Sequence, residues 1–216
     1  MRSAEPMPGN PWPHDMMITV EDRPTLLLEL LWVREAHRLN PVGADVPPLL
    51  RETPAPAVNM VNPAVRVAWE EAWPRVWSEV AAHAGSESDP QLFDQLRDTA
   101  DGSSERASIL RSMVGPSWRD EFGEDVFNDR SYREWQQRGR DASLAPPHDT
   151  LENSPEWRNL DALVPAWRAG LTKIVAIPCV GEYTRRISVN ALLVTDGTRA
   201  DSEKYQRALT SFATLV

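Results

Sequence analysis

Residues 171–195 read LTKIVAIPCVGEYTRRISVNALLVT. Two short apolar runs, Ile174–Ile177 and Ala191–Val194, sit inside this stretch between turn-forming residues. Continuous apolar runs of this length are the mark of strands covered on both faces. With the six residues CVGEYT between them, 171–195 predicts an antiparallel hairpin. A lone hairpin is only marginally stable in water. Met16–Val20 (MMITV) is the candidate for a third strand.

The rest of the chain reads as helices. Pro24 suits a first helical turn, and Leu26–Leu39 (LLLELLWVREAHRL) is apolar on nearly every face of its first half, as in a helix surrounded by others. Asn62-Pro63 opens a helix through about Ala82, and Asp89-Pro90 opens another to about Ala100. A fourth starts at Ser103 or Ser104 and ends at Gly115. Ser131 and Glu134 make an S-x-x-E capping pair for Tyr132–Arg138. Ser154-Pro155 starts a helix closed by Gly170, and Asp201 caps Ser202–Phe212. The fold class is therefore α+β, predominantly helical with a small antiparallel sheet. Residues 1–15, with prolines at 6, 8, 11 and 13, read as a Pro-rich arm anchored by Trp12, and 16–216 as one globular domain.

Composition narrows the function classes. The 216 residues hold 23 Lys+Arg against 32 Asp+Glu, a net charge of −9. No basic excess or stripe is present, so nucleic acid and anionic membranes are poor partners. A single cysteine excludes an intramolecular disulfide framework or a multi-Cys metal site. The N-terminus lacks an apolar signal core and no apolar stretch approaches about 18 residues, which predicts a cytoplasmic protein. The four histidines (14, 37, 83, 148) form no metal-ligand spacing, and no glycine-rich phosphate motif occurs. No metal or cofactor is expected.

Trp69, Trp73 and Trp77 fall at i, i+4 and i+8 and span only about 80° of a helix surface. They read either as an aromatic platform for a partner or as a core face, and the core face is the expectation. Pro74 between them is expected to kink or split the helix. Glu29 is a carboxylate inside LLLELLWV. Buried, it would need an Arg, a metal or a proton; alternatively Thr25, Glu29 and Ala36 share one exposed stripe within about 40°, which is the expectation. Cys179 sits in the hairpin connection, and a nucleophilic role would need a cationic group such as His148. The Pro-rich stretch 41–63 is a wrapping loop with Leu49, Leu50, Val58 and Met60 as anchors.

Residues 84–125 hold four Arg against ten acidic groups, which reads as a solvated face or as a surface for a basic partner. The second reading adds Arg185-Arg186 at the hairpin rim as a separate anion contact; the solvated face is the expectation. Two functions follow. The first is a protein-binding or assembly module, with a protein partner or a homodimer contact through Trp12, Trp69, Trp73, Trp77, Arg185 and Arg186. The second is a small hydrolase- or transferase-type enzyme whose site draws on Glu29, His148 and Cys179.

Overall fold

The computed structural model describes residues 11–87, 89–144 and 153–214. Its sheet has four strands: β1 (Thr19–Glu21), β2 (Lys173–Ile177), β3 (Thr184–Arg186) and β4 (Ala191–Thr195), in the order β1-β2-β4-β3. MMITV therefore does supply a further strand, though β1 takes only its last two residues, Thr19 and Val20, together with Glu21. The 171–195 hairpin, by contrast, is not formed. β2 runs parallel to β4, with Lys173 opposite Ala191 and Ile177 opposite Thr195, and β1 runs parallel to β2. Only β3 is antiparallel, pairing Thr184 with Val194.

The cause lies in Ser188–Asn190. The Ser188 hydroxyl donates to Asn190 Oδ1 (2.6 Å), the Ile187 N–H donates to Ala191 O (3.1 Å), and Arg186 Nη2 donates to Val189 O (2.8 Å). These local bonds fold RRISVNALLVT into two strands and a tight turn. The apolar half then takes the centre of the sheet, and the polar half (Thr184–Arg186) takes the edge.

Successive residues of the central strands serve opposite layers, as the pleat requires. Val175, Ile177, Ala191 and Leu193 join one core cluster; Ile174, Leu192 and Val194 join the other. The first layer is built by α1 (Thr25–Ala36), α2 (Pro63–Ala84), α5 (Trp118–Phe122) and α6 (Arg130–Leu144). The second is built by α8 (Leu160–Arg168) and α10 (Ser202–Thr214), with Trp12, Met16 and Ile18 packed against them. Short helices α7 (Pro155–Arg158) and α9 (Asp196–Ala200) precede these two. A helical pair, α3 (Pro90–Asp98) and α4 (Ser104–Val114), follows α2. This is the α+β, mainly helical fold that the sequence implies. No described helix is long and apolar enough to cross a membrane.

Several local expectations need refinement. Helix α2 runs through Pro74 as one element, because Trp73 and Trp77 on either side are fully buried and hold it. Asp129 rather than Ser131 opens α6. Its Oδ1 accepts from the Ser131 N–H, while the Ser131 hydroxyl reaches across to Ala55 O. The 41–63 loop is pinned chiefly by polar contacts: of its four predicted anchors only Leu50 is buried. Arg34, itself buried, donates to Pro47 O (2.7 Å) and Pro48 O (2.8 Å), and Glu35 Oε1 accepts from the Leu50 N–H (2.6 Å). Further along, Asp129 Oδ2 accepts from the Val58 and Asn59 N–H groups.

The tryptophan stripe is core. Trp73 and Trp77 stack at 5.2 Å, and Trp73 Nε1 donates to Leu30 O (3.0 Å), joining α2 to α1. Trp73→Ala is expected to cost about 3–5 kcal/mol through lost burial and the cavity left behind. Urea unfolding at an unchanged denaturant dependence is the check; a near-zero shift in midpoint would place the ring outside the core.

Candidate functional site

A cavity of about 400 Å³ lies between the β1–α1 link, the end of α2 and the α3–α4 pair. Its far wall is a projecting hairpin of helices. Asp89 and Ser103 cap α3 and α4 by accepting from Gln91 N and Arg106 N. Among the described side chains of these two helices only Ile109 is buried. The hairpin meets the body at His83, whose Nε2 lies 3.3 Å from Met113 O. Gly115 follows, with φ +80°, and a Cβ there would stand 2.1 Å from the His83 ring. Only glycine permits both that backbone and that approach.

The mouth of the cavity is apolar and its rim acidic. Phe93 on α3 is 60% exposed and Val114 on α4 is 55% exposed; Leu110, one turn before Val114, is 42% exposed. Glu21, Glu87 and Asp89 stand at the rim against Lys173 and His83. Lys173 pairs with Glu21 at 3.0 Å, and Glu87 accepts from Asn190 Nδ2 at 2.9 Å. Two of the lining hydroxyls are engaged locally: Ser86 donates to His83 O (2.6 Å) and Ser112 to Ile109 O (2.8 Å). Its described lining thus offers apolar surface, three carboxylates, Lys173 and His83, with no hydrogen bond among the described residues between a lining hydroxyl and a basic side chain.

The residues singled out in the sequence lie elsewhere. Trp69, Trp73 and Trp77 are buried, as is Trp12, which stacks on Trp157 and donates from Nε1 to Met16 O (3.0 Å). None presents a platform to a partner on this surface. Arg185 bonds Asp45 (3.2 Å) and Ser78 (3.3 Å), tying β3 to α2 and the wrapping loop. Arg186 lies over the Phe212 ring at 4.4 Å. Cys179 is fully buried and bridges to Leu50, and burial pushes its thiol up to about 12, so it stays protonated at neutral pH. His148 lies outside the described residues.

Glu29 overturns its expected exposed stripe. It is 5% exposed, and Ala36, on the same stripe, is fully buried, because α1 is enclosed by the sheet, α2, α5 and α6. Its Oε1 accepts from Arg119 Nη2 (2.6 Å) and from the Tyr132 hydroxyl (2.7 Å). Burial, reinforced by Glu29, raises the Tyr132 pKa. A second such carboxylate escaped the sequence reading. Glu156 accepts a bidentate pair from Arg199 (2.8 and 2.9 Å) and a bond from the Tyr205 hydroxyl (2.9 Å). Burial works to raise the Glu156 pKa, but the Arg199 pair prevails and holds it below the ordinary value. Nothing local in the sequence announces either cluster, since Arg119 is 90 residues from Glu29 and Arg199 is 43 from Glu156. Among the described residues no cluster of His, Cys, Asp and Glu is arranged to hold a metal ion.

Comparison with protein-family models, with curated proteins and with solved structures gives no match, so the functional reading rests on the geometry.

Two predictions concern the buried polar groups. Tyr132→Phe removes a hydrogen bond to a charged acceptor and is expected to cost about 1.5–3 kcal/mol, measured by urea unfolding; no loss would mean that Glu29 is supported by Arg119 alone. His37 is 2% exposed, boxed by the edges of Trp32 and Trp69, and burial lowers its pKa against the opposing charge of Asp129. The unfolded chain then binds this proton more readily than the folded one. Stability is complete above the ordinary histidine pKa of about 6.5 and declines as pH falls below it, by at most about 1.4 kcal/mol per pH unit. His37→Leu should flatten that part of the pH profile of the unfolding midpoint; an unchanged slope would assign the acid sensitivity to other groups.

Proposed function

We propose that this protein is a binding module, and that the cavity beneath the α3–α4 pair takes up a basic segment of a partner protein through one apolar side chain. The observation that carries this reading is the conjunction at one mouth of large exposed apolar groups, Phe93 and Val114, with a carboxylate rim. A volume of about 400 Å³ suits one or two inserted side chains. The excess of acidic over basic residues through 84–125 supplies the complementary field. A second copy of the chain is a poorer occupant, because two molecules of net charge −9 repel each other. The enzyme reading gains no support from Cys179, whose thiol is sealed in the core, or from Glu29, whose Oε1 is bonded to Arg119 and Tyr132 and whose Oε2 is buried away from the surface.

A labelled peptide of alternating Leu and Arg tests the proposal by fluorescence anisotropy. Saturable binding is expected at low salt, weakening as salt screens the rim. Phe93→Ser should reduce affinity on the order of tenfold, the equivalent of about 1.5 kcal/mol of aromatic burial. Val42→Ser, at an exposed residue that does not line the cavity, should leave it unchanged. Equal binding of the Leu–Glu counterpart, or no effect of Phe93→Ser, overturns the reading.

A further inference from the structure

The chain leaves the carboxyl ends of β2 and β4 in opposite directions. After β2 it passes to Cys179, which packs in the core of α1 and α2. After β4 it enters α9 and then α10, whose core is on the other face. Where neighbouring parallel strands diverge in this way, a crevice opens outside their carboxyl ends, and open sheets bind ligands there.

Four residues line this place. Thr195, the last residue of β4, donates from its hydroxyl to Gly181 O (2.8 Å), which closes the floor. Gly197 faces that carbonyl, and a Cβ on it would stand 3.4 Å from Gly181 O and 3.9 Å from Arg51 Nη2. Arg51 is placed by its own N–H, which donates to Pro178 O (2.8 Å). Its exposed guanidinium makes no hydrogen bond or ion pair among the described residues, unlike Arg34, Arg119 and Arg199. Asp196 stands beside it, half-buried, with no hydrogen bond from its carboxyl among the described residues. The charges facing Asp196 are Arg51 from the wrapping loop, Arg199 from its own helix, and Asp22 and Arg23 from the β1–α1 link. Of these, Arg199 is committed to Glu156, and Arg23 donates to Gly139 O.

We propose that this crevice is a second binding site, for a small oxyanion (a tetrahedral phosphate-type group or a carboxylate) held by the Arg51 guanidinium with the Asp196 carboxyl beside it. A guanidinium with its donor fork unused is matched to such a group. Asp196 then makes the site sensitive to pH. Burial raises its pKa above the ordinary aspartate value, so on acidification it loses its charge early, stops repelling the anion and gains a proton to donate. Affinity rises towards acid pH.

Sulfate and formate are the probes, because both keep a constant charge between about pH 5 and pH 8, so that a change in affinity belongs to the protein. Each is titrated into the full chain against chloride at matched ionic strength, followed by the amide signals of Gly181 and Gly197 and by Arg51 Nε. Saturable shifts are expected, tighter at about pH 5 than at pH 8. Arg51→Gln should weaken them at least about tenfold, and Asp196→Asn should make the two pH values equal. Stronger binding of sulfate assigns a phosphate-type ligand, and stronger binding of formate a carboxylate. The proposal is overturned if neither anion gives saturable shifts, if Arg51→Gln binds as tightly as the parent, or if the parent shows no pH dependence. Arg51 is exposed, so its variant keeps the fold; should Asp196→Asn unfold, Arg51→Gln and the parent's two pH values still decide.

Discussion

Strand β4 sets the constraint on which the rest of the structure depends. All five of its residues are buried, and four of them are apolar. A buried strand cannot leave an edge unpaired, because each orphaned N–H or C=O inside a protein costs about as much as a lost hydrogen bond. β4 therefore needs a partner on both edges and a helical layer on both faces. β2 is the apolar partner and β3 the polar one, so the chain must cross the end of β4 to get from one to the other. Thr195 and Thr198 hold that crossing: the Tyr183 N–H donates to Thr198 Oγ1 (3.1 Å) and the Thr195 N–H to Tyr183 O (3.2 Å). The wrapping loop then pairs with the same crossing at Leu50 and Cys179.

Each helical layer carries one buried carboxylate answered by an arginine and a tyrosine. Glu29 joins α1 to α5 and α6, and Glu156 joins α7 to α9 and α10. Charge burial of this kind is a weak source of net stability, since desolvation offsets most of the attraction. Its effect is directional. Leucines at these positions would allow the layers to slide, whereas a carboxylate with fixed donors accepts only one arrangement of the three elements it joins. The cost of breaking such a cluster from one side, which leaves a charge buried and unpaired, makes it an all-or-none contact.

What the sequence made legible follows from the range of each interaction. Helix starts were readable at Asn62-Pro63, Asp89-Pro90 and Ser154-Pro155 because capping is local to four residues. The tryptophan stripe was readable as core because helical periodicity alone puts the three rings on one face. The pairing of 171–195 was not, because parallel and antiparallel partners look identical in an apolar run. The turn at Ser188–Asn190 that decides between them depends on hydroxyl and amide hydrogen bonds. Glu29 was misplaced because the angular stripe says which residues share a face, and not whether another helix covers it; α5 and α6 do so from about a hundred positions away. The cavity was invisible for the same reason, although the acidic surplus around it was plain.

The α3–α4 pair contributes little to the buried core among the described residues. Among its described side chains it adds only Ile109 to the buried core, and its contacts include its own bonds, such as Arg106 Nη1 to Leu96 O (2.6 Å), and the His83–Gly115 contact. Elements with few buried apolar groups open at lower free energy than the global core, and binding surfaces are drawn from them. A basic ligand at this cavity would compete with Lys173 for Glu21 and with Asn190 for Glu87. Both competitors sit at the amino ends of β2 and β4, whereas Asp196 and Arg51 lie at the carboxyl ends. Five residues of strand separate the two places by roughly 15 Å. On the two proposals made above, a basic segment is received at the amino ends of β2 and β4 and an oxyanion at their carboxyl ends, with one parallel hydrogen-bonded ladder running between them.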